Sequence, residues 1–185
     1  MTLSILIPSL NKRRGLLQNL MQILTPQLTD EVEVLTDIDD GQMTTGKKRN
    51  NLIQRAKGDY VVFVDDDDEV ASSYVDDILQ AAKQDKDCIV FSGWMTTNGI
   101  MRRDFHLSIH HPYTAVTRNG KEEYLRYPNH ITPIKRAIAS MVQFPNQVIG
   151  EDYIWATAIH NQGLLKSEVK IHKMLYHYKY QTHKI

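Results

Sequence analysis

The sequence predicts an α/β protein whose central sheet is mostly parallel and flanked by helices. Short apolar runs alternate with segments of helical periodicity in the first half of the chain, as in doubly wound folds. The run at 60–64 is apolar or aromatic at every position, which is typical of a strand buried on both faces. Five acidic residues follow it directly, and open α/β sheets bind ligands at the carboxyl ends of their strands.

Each element of this fold is predicted from its own pattern. Four apolar runs indicate strands, at 3–7, 32–35, 60–64 and 88–91. Apolar residues at helical spacing indicate three intervening helices, at 12–24, 45–57 and 72–83. Pro8 and Ser9 are expected to end the first strand, and Gly58 the second helix.

The pattern changes after residue 91. Asn98 and Gly99 form a hairpin signal, and residues 104–129 have weak periodicity that indicates a loop or lid. Two short helices are predicted at 134–142 and 152–161, followed by one or two strands at 168–180. Because no repeat or linker divides the chain, residues 1–185 are expected to form a single domain.

Charge and composition argue against several classes of protein. The 22 basic residues balance 22 acidic ones, so no net charge attracts the chain to nucleic acid or membranes. Cys88 is the only cysteine, which excludes an internal disulfide. The sequence lacks a signal-peptide pattern and an apolar stretch of about 18 residues, so we expect a soluble, cytoplasmic protein with no membrane segment.

The acidic run at 65–69 predicts a cation site, because like charges packed together need a positive partner. Mn²⁺ or Mg²⁺ carrying a phosphate-bearing substrate would supply it, since both ions bind carboxylate and phosphate oxygens. A solvated acidic loop is the alternative. The basic segment at 46–50 begins a predicted helix, where a diphosphate can bind. Within it, Arg49 is expected at the ligand and Lys48 on the exposed face.

Five segments in order resemble glycosyltransferase family 2. They occur at 4–12, 34–41, 46–50 with 56–68, 150–153 and 175–179. The third ends in an Asp-x-Asp motif and the fourth contains a Glu-Asp motif. Each segment alone is a weak signal, but together they span nearly the whole chain.

The resemblance implies a GT-A fold, which is Rossmann-like, with a small C-terminal acceptor-side region. It also implies a metal-dependent, inverting transfer of sugar from a nucleoside-diphosphate sugar, with a UDP-sugar as the favoured donor. Residues 1–93 would bind the donor and residues 94–185 would form the acceptor side. The acceptor would be a glycan, a protein or a modified DNA base, the last because residues 129–136 resemble small phage and viral members.

The same resemblance assigns roles to residues of this sequence. The donor would be bound by Pro8, Ser9, Asp37, Arg49, Asp65 and Asp66. The metal would be held by Asp67, Asp65 and His177, although His172 and His183 compete for the histidine position. Asp152 would deprotonate the acceptor, with Glu151 orienting it or simply beginning the helix. His130 would reach the acceptor or metal, or cap the next helix.

Two other functions stay open at this point. A nucleotidyltransferase that makes nucleotide sugars shares the sheet and the paired aspartates, but it normally needs a glycine-rich first loop. Residues 8–15 contain one glycine, Gly15. A nucleotide-sugar-binding protein without transfer activity would keep the donor site, but the presence of Asp152 argues against this.

Overall fold

The computed structural model describes residues 1–182. Ten strands of these residues lie in one mixed sheet: β1 (Leu3–Leu10), β2 (Val32–Asp39), β3 (Tyr60–Phe63), β4 (Glu69–Val70), β5 (Cys88–Thr97), β6 (Met101–Leu107), β7 (Thr114–Arg118), β8 (Lys121–Arg126), β9 (Ile134–Lys135) and β10 (Glu168–Tyr180). The α-helices are α1 (Arg14–Leu24), α2 (Thr45–Arg55), α3 (Tyr74–Ala82), α4 (Arg136–Ala139) and α5 (Glu151–Asn161).

The strand order places the acidic run at the middle of the sheet. The main path runs β2-β1-β3-β9-β5-β6-β8-β7, and β10 pairs with β4 and β5. β1 is parallel to both β2 and β3, and β5 is parallel to β10. The predicted α/β class with a largely parallel central sheet is therefore confirmed, and strands from both halves of the chain share that sheet.

The core lies between the central strands and the helices on their faces. Leu3, Ile5, Leu6 and Ile7 of β1 are all at most 1% exposed, as expected for a strand covered on both faces. α1 and α3 each pack an apolar side against the core, and α2 packs a side against it that is both apolar and polar. Within residues 1–182, every helix is too short or too polar to cross a membrane.

Several predicted boundaries differ from the structure, and three of the differences are informative. The first strand continues through Pro8 to Leu10, because β3 pairs with β1 only as far as Leu6 and leaves that side of β1 without a ladder partner. The expected loop or lid at 104–129 is wrong: it holds the end of β6 and the β7–β8 hairpin. The helix expected at 134–142 is shorter: its first two residues form β9 between β3 and β5, and α4 ends at Ala139.

The hairpin signal at Asn98 and Gly99 is confirmed. Both residues have positive φ, 51° and 75°, and they connect the antiparallel strands β5 and β6. Asparagine and glycine tolerate this left-handed backbone better than other residues do. Residues 104–129 were predicted as a loop because β7 is short and mostly exposed and β8 is rich in charged residues, so neither strand has an apolar run.

Candidate active site

A cavity of about 590 Å³ opens where β1 and β3 end. Its walls come from β1, α2, the acidic run after β3 and the start of α5. They include eight of the predicted site residues: Pro8, Ser9, Arg49, Asp65, Asp66, Asp67, Glu151 and Asp152. The fold therefore brings together segments that are up to 144 positions apart in the sequence (Pro8 to Asp152), at the edge of the sheet where α/β proteins bind ligands.

Two predicted site residues do not line this cavity as the structure describes it. Asp37 lies on β2, in register with Pro8, and its carboxylate accepts a hydrogen bond from the Asn51 side chain at 3.3 Å. His177 lies on β10, where Nδ1 is 3.2 Å from Glu69 and Nε2 is 2.9 Å from the Thr96 hydroxyl. Both ring nitrogens thus have partners away from the motif aspartates. Of the competing histidines, His172 is exposed on β10, and His183 lies outside the described residues.

The four aspartates after β3 face two different environments. Asp65, Asp66 and Asp67 face the cavity, whereas Asp68 is buried beneath it. The Asp68 carboxylate accepts hydrogen bonds from the Tyr176 hydroxyl at 2.7 Å and the Lys179 backbone N–H at 2.8 Å. Burial and the neighbouring Asp65 raise the pKa of Asp68 well above its usual value. This residue anchors the acidic run to β10.

Asp66 and Asp67 share one cation, the Arg13 guanidinium. Arg13 Nη2 is 2.5 Å from Asp66 Oδ1 and 2.7 Å from Asp67 Oδ2. Asp66 also accepts a hydrogen bond from the Ser9 hydroxyl at 2.5 Å. Burial still raises the pKa of Asp66 to about 6, because it outweighs Ser9 and Arg13. Within the described chain, the Arg13 side chain is therefore the positive partner of these two carboxylates.

Arg49 is a buried cation that contacts both acidic motifs. Its Nη2 is 2.9 Å from Asp65 Oδ1, and its Nε is 3.1 Å from Glu151 Oε1. The guanidinium carbon lies 4.9 Å from the centre of the Phe63 ring. Burial alone would raise the pKa of Asp65, but Arg49 and His130 outweigh it and hold that pKa well below its usual range. Asp65 is consequently ionised at neutral pH.

Asp152 stands on the first turn of α5 and is also ionised. Its side chain is 36% exposed, and Oδ2 is 3.2 Å from His130 Nδ1. Burial would raise its pKa, but His130 and Arg49 outweigh burial and lower the pKa to about 2. A carboxylate that stays ionised and faces a cavity can accept a proton from a bound hydroxyl.

Lys48 corrects one expectation about the basic segment. It is 3% exposed rather than on an open helix face, and its ammonium pairs with Asp39 and donates to the Ser9 carbonyl oxygen at 2.5 Å. Lys48 also lines the cavity. The sequence did not predict this burial, because α2 carries too few apolar residues to indicate which of its sides faces the core.

A family model for glycosyl transferase family 2 matches residues 40–144, more than half of the chain. The chain belongs to glycosyl transferase family 2. Comparison with curated protein sequences gives no match.

Solved structures of S. aureus TarS resemble this family 2 chain in fold. TarS 1-349 in complex with UDP gives a TM-score of 0.71 at 18% identity, over 97% of this chain and 60% of that chain. The complex with UDP-GlcNAc gives 0.70 at 15% identity, over 100% and 60%. A further TarS structure gives 0.70 at 17%, over 97% and 37%. The fold is GT-A, and the chain spans at most 60% of these TarS chains.

A divalent metal is common in family 2, and the donor set of this chain fits one by its chemistry. Magnesium is typically bound by one or two carboxylates together with substrate phosphates. Asp66 and Asp67 face the cavity and already hold one positive group, the Arg13 guanidinium, between them. Within residues 1–182, no three His, Cys, Asp or Glu side chains form a metal-binding group. The carboxylates of this site therefore suit a metal ion that is also coordinated by a bound substrate.

His130 has no definite role in this family 2 site from the sequence alone. It is 8% exposed, and its ring lies between Asp152 and Asp65. Burial and Arg49 lower its pKa, but the two carboxylates outweigh them and raise it to about 9. The resemblance of residues 129–136 to phage and viral members drew attention to His130, but its place between the two acidic motifs is set by the fold and not by the local sequence.

Proposed function

We propose that this chain is a metal-dependent, inverting glycosyltransferase that moves a sugar from a nucleoside-diphosphate sugar to an acceptor hydroxyl. The observation that carries the proposal is the convergence of the two acidic motifs on one cavity. Asp65, Asp66 and Asp67 line this cavity together with the ionised Asp152. The separate supports are family membership and a fold like that of TarS, whose structures were solved with UDP and UDP-GlcNAc. A UDP-sugar is the donor we expect.

Donor binding is assigned to the sheet side of the cavity. Pro8 and Ser9 would line the nucleotide pocket with Asp37 behind them, and Asp65 and Asp66 would approach the ribose or sugar. Arg49 would contact the diphosphate: its Nη1 is buried and makes no hydrogen bond within the described residues, so a donor oxygen would satisfy it. Such charge-assisted contacts suit Arg and phosphate oxygens.

The metal, Mn²⁺ or Mg²⁺, is assigned to Asp67 with Asp65 or Asp66. When bound, it supplies Lewis-acid neutralisation of the diphosphate charge. Arg13 lies 2.5 and 2.7 Å from Asp66 and Asp67, so metal binding would require its guanidinium to move away from these carboxylates or to contact the diphosphate. His177 was expected as a further ligand, but its contacts with Glu69 and Thr96 give the metal assignment no support.

Asp152 is assigned the role of general base. Its carboxylate takes the proton of the acceptor hydroxyl, and the acceptor oxygen then bonds to the anomeric carbon of the sugar. The carbon–oxygen bond to the diphosphate breaks, and its electron pair leaves with the nucleoside diphosphate. Because attack and departure occur on opposite faces, the configuration at the anomeric carbon inverts. Glu151 would act through Arg49, which it contacts at 3.1 Å, rather than on the substrate.

Product analysis tests the proposal. Donor panels incubated with Mn²⁺ and candidate acceptors should release a nucleoside diphosphate, whereas release of pyrophosphate would identify a nucleotidyltransferase. Asp152→Asn should keep donor binding and abolish transfer, and the exposed Asp76→Asn serves as a matched control. Donor binding by the wild-type protein without transfer to any glycan, protein or modified-DNA acceptor would favour a binding protein. Full transfer by Asp152→Asn would refute the base assignment.

A further inference from the structure

The His130 ring lies between one carboxylate from each half of the proposed machinery. Its Nδ1 is 3.2 Å from Asp152 Oδ2, and its Nε2 is 3.6 Å from Asp65 Oδ2. Asp65 belongs to the motif on the donor side, and Asp152 is the proposed base on the acceptor side. The two carboxylates are 87 positions apart in the sequence (65 to 152) and meet on either side of one imidazole ring.

The backbone around His130 fixes the ring in this place. Its carbonyl oxygen accepts a hydrogen bond from the Phe63 N–H at 3.0 Å, which ties the segment to the end of β3. The Asn129 side chain accepts from the Ile131 N–H at 3.3 Å, and the Thr132 hydroxyl accepts from the Asn129 N–H at 3.1 Å. A ring held by a strand end and a tight turn has little freedom to move away from the two carboxylates.

The contacts themselves are not closed hydrogen bonds. Both nitrogens of His130 lie within ion-pair distance of a carboxylate, yet Nδ1 is poorly aligned with Asp152 and Nε2, at 3.6 Å, is too far from Asp65 for a hydrogen bond. Catalytic contacts are often long or misaligned without substrate and tighten when it binds. A buried histidine of the core would instead be expected to have its hydrogen bonds complete.

We propose that His130 is a positioning residue that holds the Asp152 carboxylate toward the cavity and ties it to Asp65. The inference rests on the proposed function, because it gives the base a fixed place relative to the donor. Asp152 needs such a partner, since its side chain is partly exposed on the first turn of α5 and can adopt several rotamers. Displacement of a catalytic group by about 1 Å can reduce the rate about 100-fold.

Two conservative variants separate the two contacts of His130. An asparagine amide lies near the place of Nδ1, so His130→Asn keeps a donor toward Asp152 and loses the one toward Asp65. A glutamine amide reaches the place of Nε2, so His130→Gln does the reverse. His130→Ala loses both. His160, an exposed residue stacked on Tyr127, gives the control His160→Ala.

The experiment measures kcat, the KM for donor and acceptor, and the donor Kd by calorimetry. His130→Ala should lower kcat about 100-fold while the donor Kd stays close to that of the wild type. His130→Asn should recover most of kcat, and His130→Gln much less. A kcat for His130→Ala equal to that of the control overturns the inference, as does equal recovery by Asn and Gln. If the alanine variant does not fold, the Asn and Gln variants still decide, because both keep a polar group at the buried position.

Nuclear magnetic resonance of the His130 ring gives a readout that does not depend on activity. At one pH, Asp152→Asn should change the nitrogen chemical shift of Nδ1 more than that of Nε2, and unchanged shifts would overturn the inference. Absence of transfer by the wild-type protein would refute the proposed function itself. Transfer by the wild type that is unaffected in His130→Ala would refute only the role of His130.

Discussion

Replacing Arg49 with methionine should destabilise the protein strongly. Arg49 is 2% exposed and makes ion pairs of 2.9 Å with Asp65 and 3.1 Å with Glu151. Methionine keeps much of the aliphatic stem but offers no charge, so Glu151 loses its cation and Asp65 is left with His130 alone. Removing one partner of a buried ion pair costs about 3–5 kcal/mol, because the remaining charge is buried without compensation. We expect a loss of that size in the free energy of unfolding.

Urea unfolding at pH 7 measures this loss, with Arg55→Met as the matched control. Arg55 lies on the same helix, but it is exposed, with one hydrogen bond of 3.3 Å to the Thr36 carbonyl oxygen. Its replacement should change the free energy of unfolding by about 0.5 kcal/mol or less. Adding Glu151→Gln to Arg49→Met should recover part of the loss. A loss in Arg49→Met no larger than in Arg55→Met would refute the argument that this cation compensates buried charge.

Three further predictions concern the surroundings of the site. Arg13→Ala should tighten Mn²⁺ binding in the absence of nucleotide about fivefold, since it removes a competing cation, whereas Arg14→Ala should leave it unchanged. Equal Mn²⁺ affinities of Arg13→Ala and the wild type in calorimetry would contradict the competition. Gly46→Ala should lower the free energy of unfolding by about 1–3 kcal/mol, because the added Cβ would lie 1.9 Å from the Pro145 carbonyl oxygen. At Gly15 an added Cβ meets no atom within 4 Å, so Gly15→Ala should be neutral or stabilising. The wild type should exceed His130→Asn in free energy of unfolding most below pH 6.5, because the folded state raises the pKa of His130 to about 9. This difference should fall by up to about 3 kcal/mol as the pH rises to about 9. A difference that is constant with pH would contradict this.

The sequence was informative where chemistry follows directly from a strand. The 60–64 run and the acidic residues after it predicted a buried strand with carboxylates at its end, and β3 followed by Asp65, Asp66 and Asp67 matches this. Parallel strands place their carboxyl ends at one edge, so Pro8 and Ser9 could also be expected near the aspartates. The order of the five family-like segments then extended the prediction to Glu151 and Asp152.

Residues that depend on tertiary contacts could not be predicted in the same way. Asp65 to Asp68 read as one run, yet Asp68 turns inward to Tyr176 from a strand more than 100 positions away. His130 lies outside every segment with a periodic pattern. Lys48 is buried where it forms an ion pair with Asp39 on another element, which its local sequence does not indicate. The hairpin of β7 and β8 has too few apolar residues to give its strands a periodic signal.

Binding of nucleoside-diphosphate sugars with and without Mn²⁺ is the most direct test of the central claim that this cavity is a metal-assisted donor site. A ligand that binds only the folded state raises its melting temperature by mass action. We expect one nucleoside-diphosphate sugar to raise the melting temperature of the wild type and of Asp152→Asn only when Mn²⁺ is present, and to leave that of Asp67→Ala unchanged. No shift with any such sugar, or the same Mn²⁺-dependent shift in Asp67→Ala, would contradict the claim.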